Sequence, residues 1–259
     1  MSKGSSLFSV PIARPDGNRI VCHGALGHEL FHMLVERISQ LARNGHKLIE
    51  LDFSAVTAGF PEGGVPLVAL VSRERLRGLE FRLHLPRSKV TADLFVNTSW
   101  AHFLDPRQFK ITSDRRNYQL PVFHFRDHGE QDEVVSRLLD VVFRSVVLSR
   151  DLQDALEWSV AEITENVLTH SESPVGGYLQ AVAFENSVQF TVADAGIGVF
   201  RAIRDSLPHG IEPADALVLA CEAGVTGRPK TNAGNGLAGS RLLAFDSGGL
   251  FGITSGAAN

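Results

Sequence analysis

Residues 47–86 read KLIELDFSAVTAGFPEGGVPLVALVSRERLRGLEFRLHLP. KLIELDF and LEFRLHLP are short strand-like runs, the second ending at Pro86, and GVPLVALVSRERLRG between them is long enough for a helix. The same order holds upstream. RIVCHGAL from residue 19 is β-like, and HELFHMLVERISQLARNG places Leu30, Met33, Leu34 and Ile38 at the three-and-four spacing of an amphipathic helix closed by Gly45. Alternating strands and helices of this kind predict helices packed on a largely parallel sheet, an α/β fold.

Composition limits what such a fold can serve. At 259 residues, 44% hydrophobic and 21% charged, the chain matches globular usage and is long enough for two modest cores. A formal net charge of -4 argues against nucleic acid as a partner, because phosphate neutralisation needs clustered Lys and Arg. Cys22 and Cys221 stand far apart, which fits a reducing compartment better than a disulfide framework. MSKGSSLFSVPIARPDG meets Pro and charge too early for a secretory apolar core, and no segment offers about eighteen uncharged apolar residues. The expectation is a cytoplasmic protein without membrane attachment.

His28, Glu29 and His32 spell H-E-x-x-H, which on a helix turns two imidazoles to one face for zinc with a Glu as base. A zinc peptidase needs a third ligand from a later helix, and here Val35, Arg37 and Ser39 lead into a strand with no second His motif. It stands as a remote alternative to an ordinary amphipathic helix.

LDFSAVTAGFPEGGVPLVAL, LEFRLHLP and TADLFVNTSWAHFLDP together resemble a STAS domain, the fold of anti-sigma-factor antagonists, over roughly residues 8 to 106. The resemblance implies a partner-binding module. In signalling members a serine in the turn before the second helix accepts phosphate. Counted from Asp52 and Ser54, that turn here reads Phe60, Pro61, Glu62, Gly63, with no hydroxyl at the acceptor position. Phosphorylation there is not expected.

After Pro106 periodicity fades, with one β-like VFHF, and two helical segments follow: EQDEVVSRLLDVVFRSVVL, then SRDLQDALEWSVAEITENVLTH with Ser149 able to cap. GGYLQAVAF and SVQFTVADA then read as a hairpin turning at Glu185 and Asn186. On a wheel at about 100° per residue with Ile163 as zero, Leu152, Leu156, Val160 and Val167 fall between about -20° and 60°, the predicted buried stripe. Glu162 and Asn166 fall near about -100° and -60°, along one edge of it, and Glu165 near about 200°, in solvent. Polar side chains at a core border need partners, since burying them unpaired costs about 1 to 3 kcal/mol. A cleft with a charged ligand would supply them.

Asp194, Gly196 and Gly198 form DAGIG at a strand end, and GNGLAGS at 234–240 opens a helix. Glycines there let backbone approach a ligand and leave N–H groups for phosphate. In the order E-x-x-x-N, D-x-G-x-G, G-x-G-L, these runs resemble the N, G1 and G2 boxes of the GHKL ATPases, which include gyrase, histidine kinases and anti-sigma-factor kinases. The resemblance covers residues 130 to 256 and implies a Bergerat-type α/β sandwich. It gives Asn166 to Mg²⁺ and the phosphates, Glu162 to polarising the attacking nucleophile, and Asp194 to the adenine amino group. Gly196 and Gly198 shape the loop under the base, residues 199–236 form the lid with Thr226 near the γ-phosphate, and Gly234 and Gly236 meet the phosphates. After the strand GGLFGITSG the chain stops at Asn259, where related domains have one more strand.

The sequence therefore predicts a STAS-like domain with connector over 1–118 and a GHKL-like nucleotide-binding domain over 119–259. The expected function is an ATP- and Mg²⁺-binding regulatory switch with ATPase or anti-sigma-factor-kinase-like activity, acting on a protein partner, with a homodimer left open. The alternative is an interaction module that senses ATP without hydrolysing it.

Overall fold

The computed structural model describes residues 10–112, 120–185, 187–204, 210–222 and 236–256. The chain forms two compact units: the described part of Met1–Phe123 with Tyr178–Ala183 and Val188–Ala193, and His124–Gly177 with Phe184–Ser187 and the described part of Asp194–Asn259. The expected boundary between residues 118 and 119 lies outside the described residues.

In the first unit, β1 (Ile12–Asp16) and β2 (Arg19–Leu26) form an antiparallel hairpin, in register from Ile12 opposite His23 to Asp16 opposite Arg19. Gly17 turns it at φ +61°, a conformation for which a side chain is a strain. There follow α1 (His28–Arg43), β3 (Leu48–Gly59), α2 (Pro61–Leu76) and β4 (Glu80–His84). β2, β3 and β4 pair in parallel, and the sheet order is β1-β2-β3-β4. The α/β expectation holds, with a mixed rather than purely parallel sheet. α1 buries Leu30, Leu34, Ile38 and Leu41, the predicted face except that Met33 is only half-buried.

Two short helices, α3 (Lys89–Asn97) and α4 (Trp100–Leu104), complete the layer. Ser88 caps α3 by accepting from Thr91 N–H. Trp100 is fully buried, and its indole lies so close to α2 and the end of β3 that a Cβ at Gly64 would stand 2.3 Å from Cε2 and one at Gly59 2.7 Å from Cζ3. Its Nε1–H donates to Oε1 of buried Gln180 at 2.9 Å, and Gln180 Nε2 donates to Leu120 O. A large indole with its one polar atom satisfied stabilises a core strongly. Arg75 of α2 reaches the other end of α4, donating to the carbonyls of Phe103 and Leu104 and stacking 5.7 Å over the Phe81 ring.

Gln180 belongs to the second sheet, antiparallel and ordered β5 (Phe123–Phe125), β6 (Gly177–Phe184), β7 (Ser187–Asp194). The hairpin between β6 and β7 has the expected place, with Asn186 outside the described residues.

The second unit is built on α5 (His128–Ser145) and α6 (Arg150–His170), with α7 (Val199–Ile203), α8 (Pro213–Ala220) and α9 (Gly236–Asp246). Ser149 caps α6 through Leu152 N–H, as expected, and Asp127, which the sequence reading did not single out, caps α5 through Glu130 N–H at 2.9 Å. Two expectations are corrected. α6 buries Ser159, Val160, Thr164 and Val167, whereas Leu152 is 40% exposed, so the helix is rotated toward Thr164. Thr164 can be fully buried because its hydroxyl donates to Val160 O at 2.8 Å and accepts from Gln131 Nε2 at 3.0 Å. The segment read as a strand at 248–256 is not one: Gly248 ends α9 at φ +74°, and only Ser255 makes a strand-type bridge. Its glycines give strand pairing little to hold. Among the described residues no helix is long and apolar enough to cross a membrane.

Gly64→Ala gains about 1 kcal/mol of helix propensity but overpacks the indole, so denaturant titration is expected to show a net loss of about 1 to 3 kcal/mol; unchanged stability would mean that the slot yields. A second test concerns the open face of the first sheet, where Glu50 accepts from His84 Nε2 at 2.9 Å and from Arg19, and Arg19 also pairs with Asp52 at 3.3 Å. The His84 bond, then Arg19, hold the Glu50 carboxyl below its usual range; burial raises Asp52, but Ser54, Arg19 and His84 bring it down overall. Depressed carboxyls contribute stability that is complete above about pH 5 and lost as pH falls through the folded values. Glu50→Gln is therefore expected to flatten the acid limb of the stability curve; an unchanged limb would assign it to other groups.

Candidate functional site

Three separated stretches of the second unit meet on α6. Glu162 and Asn166 lie one turn apart on its half-buried side, and among the described residues neither side chain has a hydrogen-bond partner. The first residue of α9 faces them: a Cβ at Gly236 would stand 2.6 Å from Glu162 Oε2 and 3.4 Å from Asn166 Nδ2. One turn further, Gly239 lies against the Trp158 ring, where a Cβ would stand 2.4 Å from Cη2. Two glycines three apart on one face of α9 are what let its backbone start directly over the Glu162–Asn166 edge.

The third stretch is the turn after β7. Asp194 Oδ1 accepts from Gly196 N–H at 2.7 Å, closing an Asx turn. The turn hangs from the end of α6: Ser171 O accepts from Ile197 N–H at 2.8 Å, Ser173 Oγ accepts from Ala195 N–H at 3.3 Å, and Ser171 Oγ both donates to Val167 O at 2.6 Å and accepts from Ser173 N–H at 3.0 Å. A Cβ at Gly196 would lie 1.9 Å from Ser171 O, which no side chain survives. Gly198 takes φ +79° and precedes α7, whose first N–H, from Val199, donates to Ser255 Oγ at 2.8 Å.

Asp194 reaches solvent, yet the protein around its carboxyl strips away enough water to push its pKa above the usual carboxylate range, against the pull of the Gly196 N–H. Glu165 does not stand free in solvent as the wheel placed it; it pairs with His128 Nδ1 of α5 at 3.1 Å and is 38% exposed. Glu165 is thus tied to α5, and Glu162 on the same helix faces α9. Ser240 Oγ, one turn past Gly236, is buried with no hydrogen-bond partner among the described residues. Thr226 and Gly234 lie outside the described residues.

A carboxylate and an amide side by side form an oxygen-rich donor pair suited to a hard divalent cation, and an acidic acceptor in a Gly-shaped turn suits a hydrogen-bond donor on a ligand. Ser171, Ser173 and Ser255 escaped the sequence reading. The signal for the first two was local: a serine pair just after a helix is turn and cap chemistry. On the first unit, the H-E-x-x-H residues lie on the first turns of α1 with Glu29 exposed, and His32 is held below its usual pKa by burial, then by the neighbouring His28. Among the described residues no group of three His, Cys, Asp or Glu side chains could hold a metal ion.

Compared with protein-family models, with curated proteins and with solved structures, the chain finds no match.

Asp194→Asn keeps the Asx acceptor and removes the desolvated charge. A carboxyl raised on folding costs stability as pH climbs from its unfolded value, about 4, through the folded one. The variant is therefore expected to equal or exceed wild-type stability at neutral pH, with the difference vanishing in acid, whereas Gly196→Ala should be severely destabilised. A loss of stability for Asp194→Asn at neutral pH in urea titration would contradict this electrostatic assignment.

Proposed function

We propose that this chain is a regulatory switch that binds ATP with Mg²⁺ in a GHKL-type site of the second unit, joined to a STAS-like module that meets a protein partner. The carrying observation is the approach of Gly236, the second glycine of the G-x-G-L run, to Glu162 and Asn166 of the E-x-x-x-N run, although some seventy residues separate them. The DAGIG turn, bonded to the end of the same helix, adds the third run. The β-hairpin followed by parallel strands with intervening helices supports the STAS-like reading of the first unit.

Each residue then has a task it is chemically fit for. Asp194 accepts from the adenine amino group, while Gly196 and Gly198 keep the floor under the base free of side chains. Asn166 would offer its amide oxygen to the cation that accompanies the phosphates, and Mg²⁺ held there would offset part of their negative charge. Backbone N–H groups at the start of α9 face the phosphates, a site for anions at a helix N-terminus. Glu162 orients the attacking hydroxyl, of water or of a partner protein. Thr226 and Gly234 take their roles at the γ-phosphate and lid from the resemblance alone.

The zinc-peptidase reading would need a third ligand beside His28 and His32, for which the described residues offer no set. An ATP sensor without turnover shares the pocket and differs only in whether Glu162 works on a nucleophile.

Calorimetry with ATP and Mg²⁺, followed by γ-labelled ATP alone and with candidate partners, tests the reading. Asp194→Ala is expected to weaken ATP by about 1.5 to 3 kcal/mol, as for a hydrogen bond to a charged group. Asn166→Ala should weaken it chiefly when Mg²⁺ is present. Glu162→Gln should bind ATP and lose turnover by about 10² to 10⁴, whereas Glu165→Ala, breaking only a part-exposed pair with His128, should cost at most about 1 kcal/mol of stability. Undiminished ATP affinity in Asp194→Ala would sink the adenine assignment, and absent turnover in the wild type would leave the sensor.

A further inference from the structure

The nucleotide reading makes no use of the histidines of α1. His28 and His32 lie one turn apart, half-buried, with their Nε2 atoms 3.0 Å apart, ring centroids 4.4 Å apart and ring planes inclined by 68°. Without a metal, one Nε2–H donates to the other nitrogen. The hydrogen-bond spacing also lies within a few tenths of an ångström of what a chelated ion would need. With metal–nitrogen bonds of about 2.0–2.1 Å, nitrogens 3.0 Å apart subtend about 90–97° at the ion. Tetrahedral zinc would hold them about 3.3–3.4 Å apart. A near-right angle is instead the cis angle of a square-planar or tetragonal centre, the geometry of Cu²⁺ and Ni²⁺, and Cu²⁺ heads the affinity order for nitrogen donors.

The geometry points to a two-imidazole chelate for a divalent late transition ion, Cu²⁺ foremost, formed by Nε2 of His28 and Nε2 of His32. Since the described residues supply no third ligand of the usual kinds, water completes the coordination and the ion exchanges readily, unlike the closed set of a structural site. Glu29 in the first turn and Glu36, whose charge acts on His32, oppose the positive end of the helix dipole at His28. The site lies on α1 and does not depend on the ATP reading of the second unit.

The test is titration of the purified full chain with CuCl₂ in a non-chelating buffer without nucleotide, read by calorimetry and by electron paramagnetic resonance. Wild type is expected to bind one Cu²⁺ per chain at this site, with hyperfine splitting from two imidazole nitrogens. His28→Gln and His32→Gln should each weaken that binding by about tenfold or more, because a chelate becomes a single contact, with circular dichroism reporting the fold. Variants that bind Cu²⁺ as tightly as wild type, a wild-type spectrum without paired nitrogens, or no binding at all would each overturn the chelate. The wild-type spectrum decides the matter even if a variant fails to fold.

Discussion

The close approach of α9 to α6 is the constraint on which the second unit turns. Side chains at Gly236 and Gly239 would collide with Glu162 and with Trp158, so the two helices meet backbone against side chain rather than ridge into groove. That leaves Glu162 and Asn166 beside the backbone of the first turn of α9 instead of beneath a packed apolar residue. Both are half-buried and have no hydrogen-bond partner among the described residues, so they remain open to other groups at this spot. The turn after β7 obeys the same logic: Ser171 O takes the place a side chain at Gly196 would need, and its bond from Ile197 fixes Asp194 relative to α6.

The first unit relies on an interaction of another kind. Trp100 fills a slot that Gly59 and Gly64 vacate, and Gln180 satisfies its one donor from a strand 80 residues further along the chain. Placing a buried glutamine on β6 is expensive unless both ends of its amide are bonded, and here they are, to the indole and to Leu120 O. Specific polar pairing of this sort narrows the ways in which the core can pack.

Periodicity made most of this legible. The spacing of Leu30, Leu34 and Ile38 marked α1, Ser149 marked the start of α6, and the order of strands and helices marked an α/β fold with parallel strands. What failed did so for local physical reasons. The hairpin of β1 was overlooked although Asp16 and Gly17 form a strong turn signal, because Pro15 obscured the strand before it. The buried face of α6 was set too far from Thr164, since a hydroxyl counts as polar until a partner such as Gln131 is known, and that residue lies 33 positions away. For the same reason Glu165 was put in solvent when His128 was its neighbour. The three glycine and carboxylate runs were visible as residues, but their meeting on one helix was not, as it rests on contacts between distant segments.

The most direct test of the central claim is hydrogen–deuterium exchange of the full chain with and without ATP and Mg²⁺. Concerted protection is expected at the end of α6, in the turn at 194–198 and at the start of α9, because one ligand contacts all three. ATP binding with protection elsewhere and none in these segments, or no binding at all, would contradict the account.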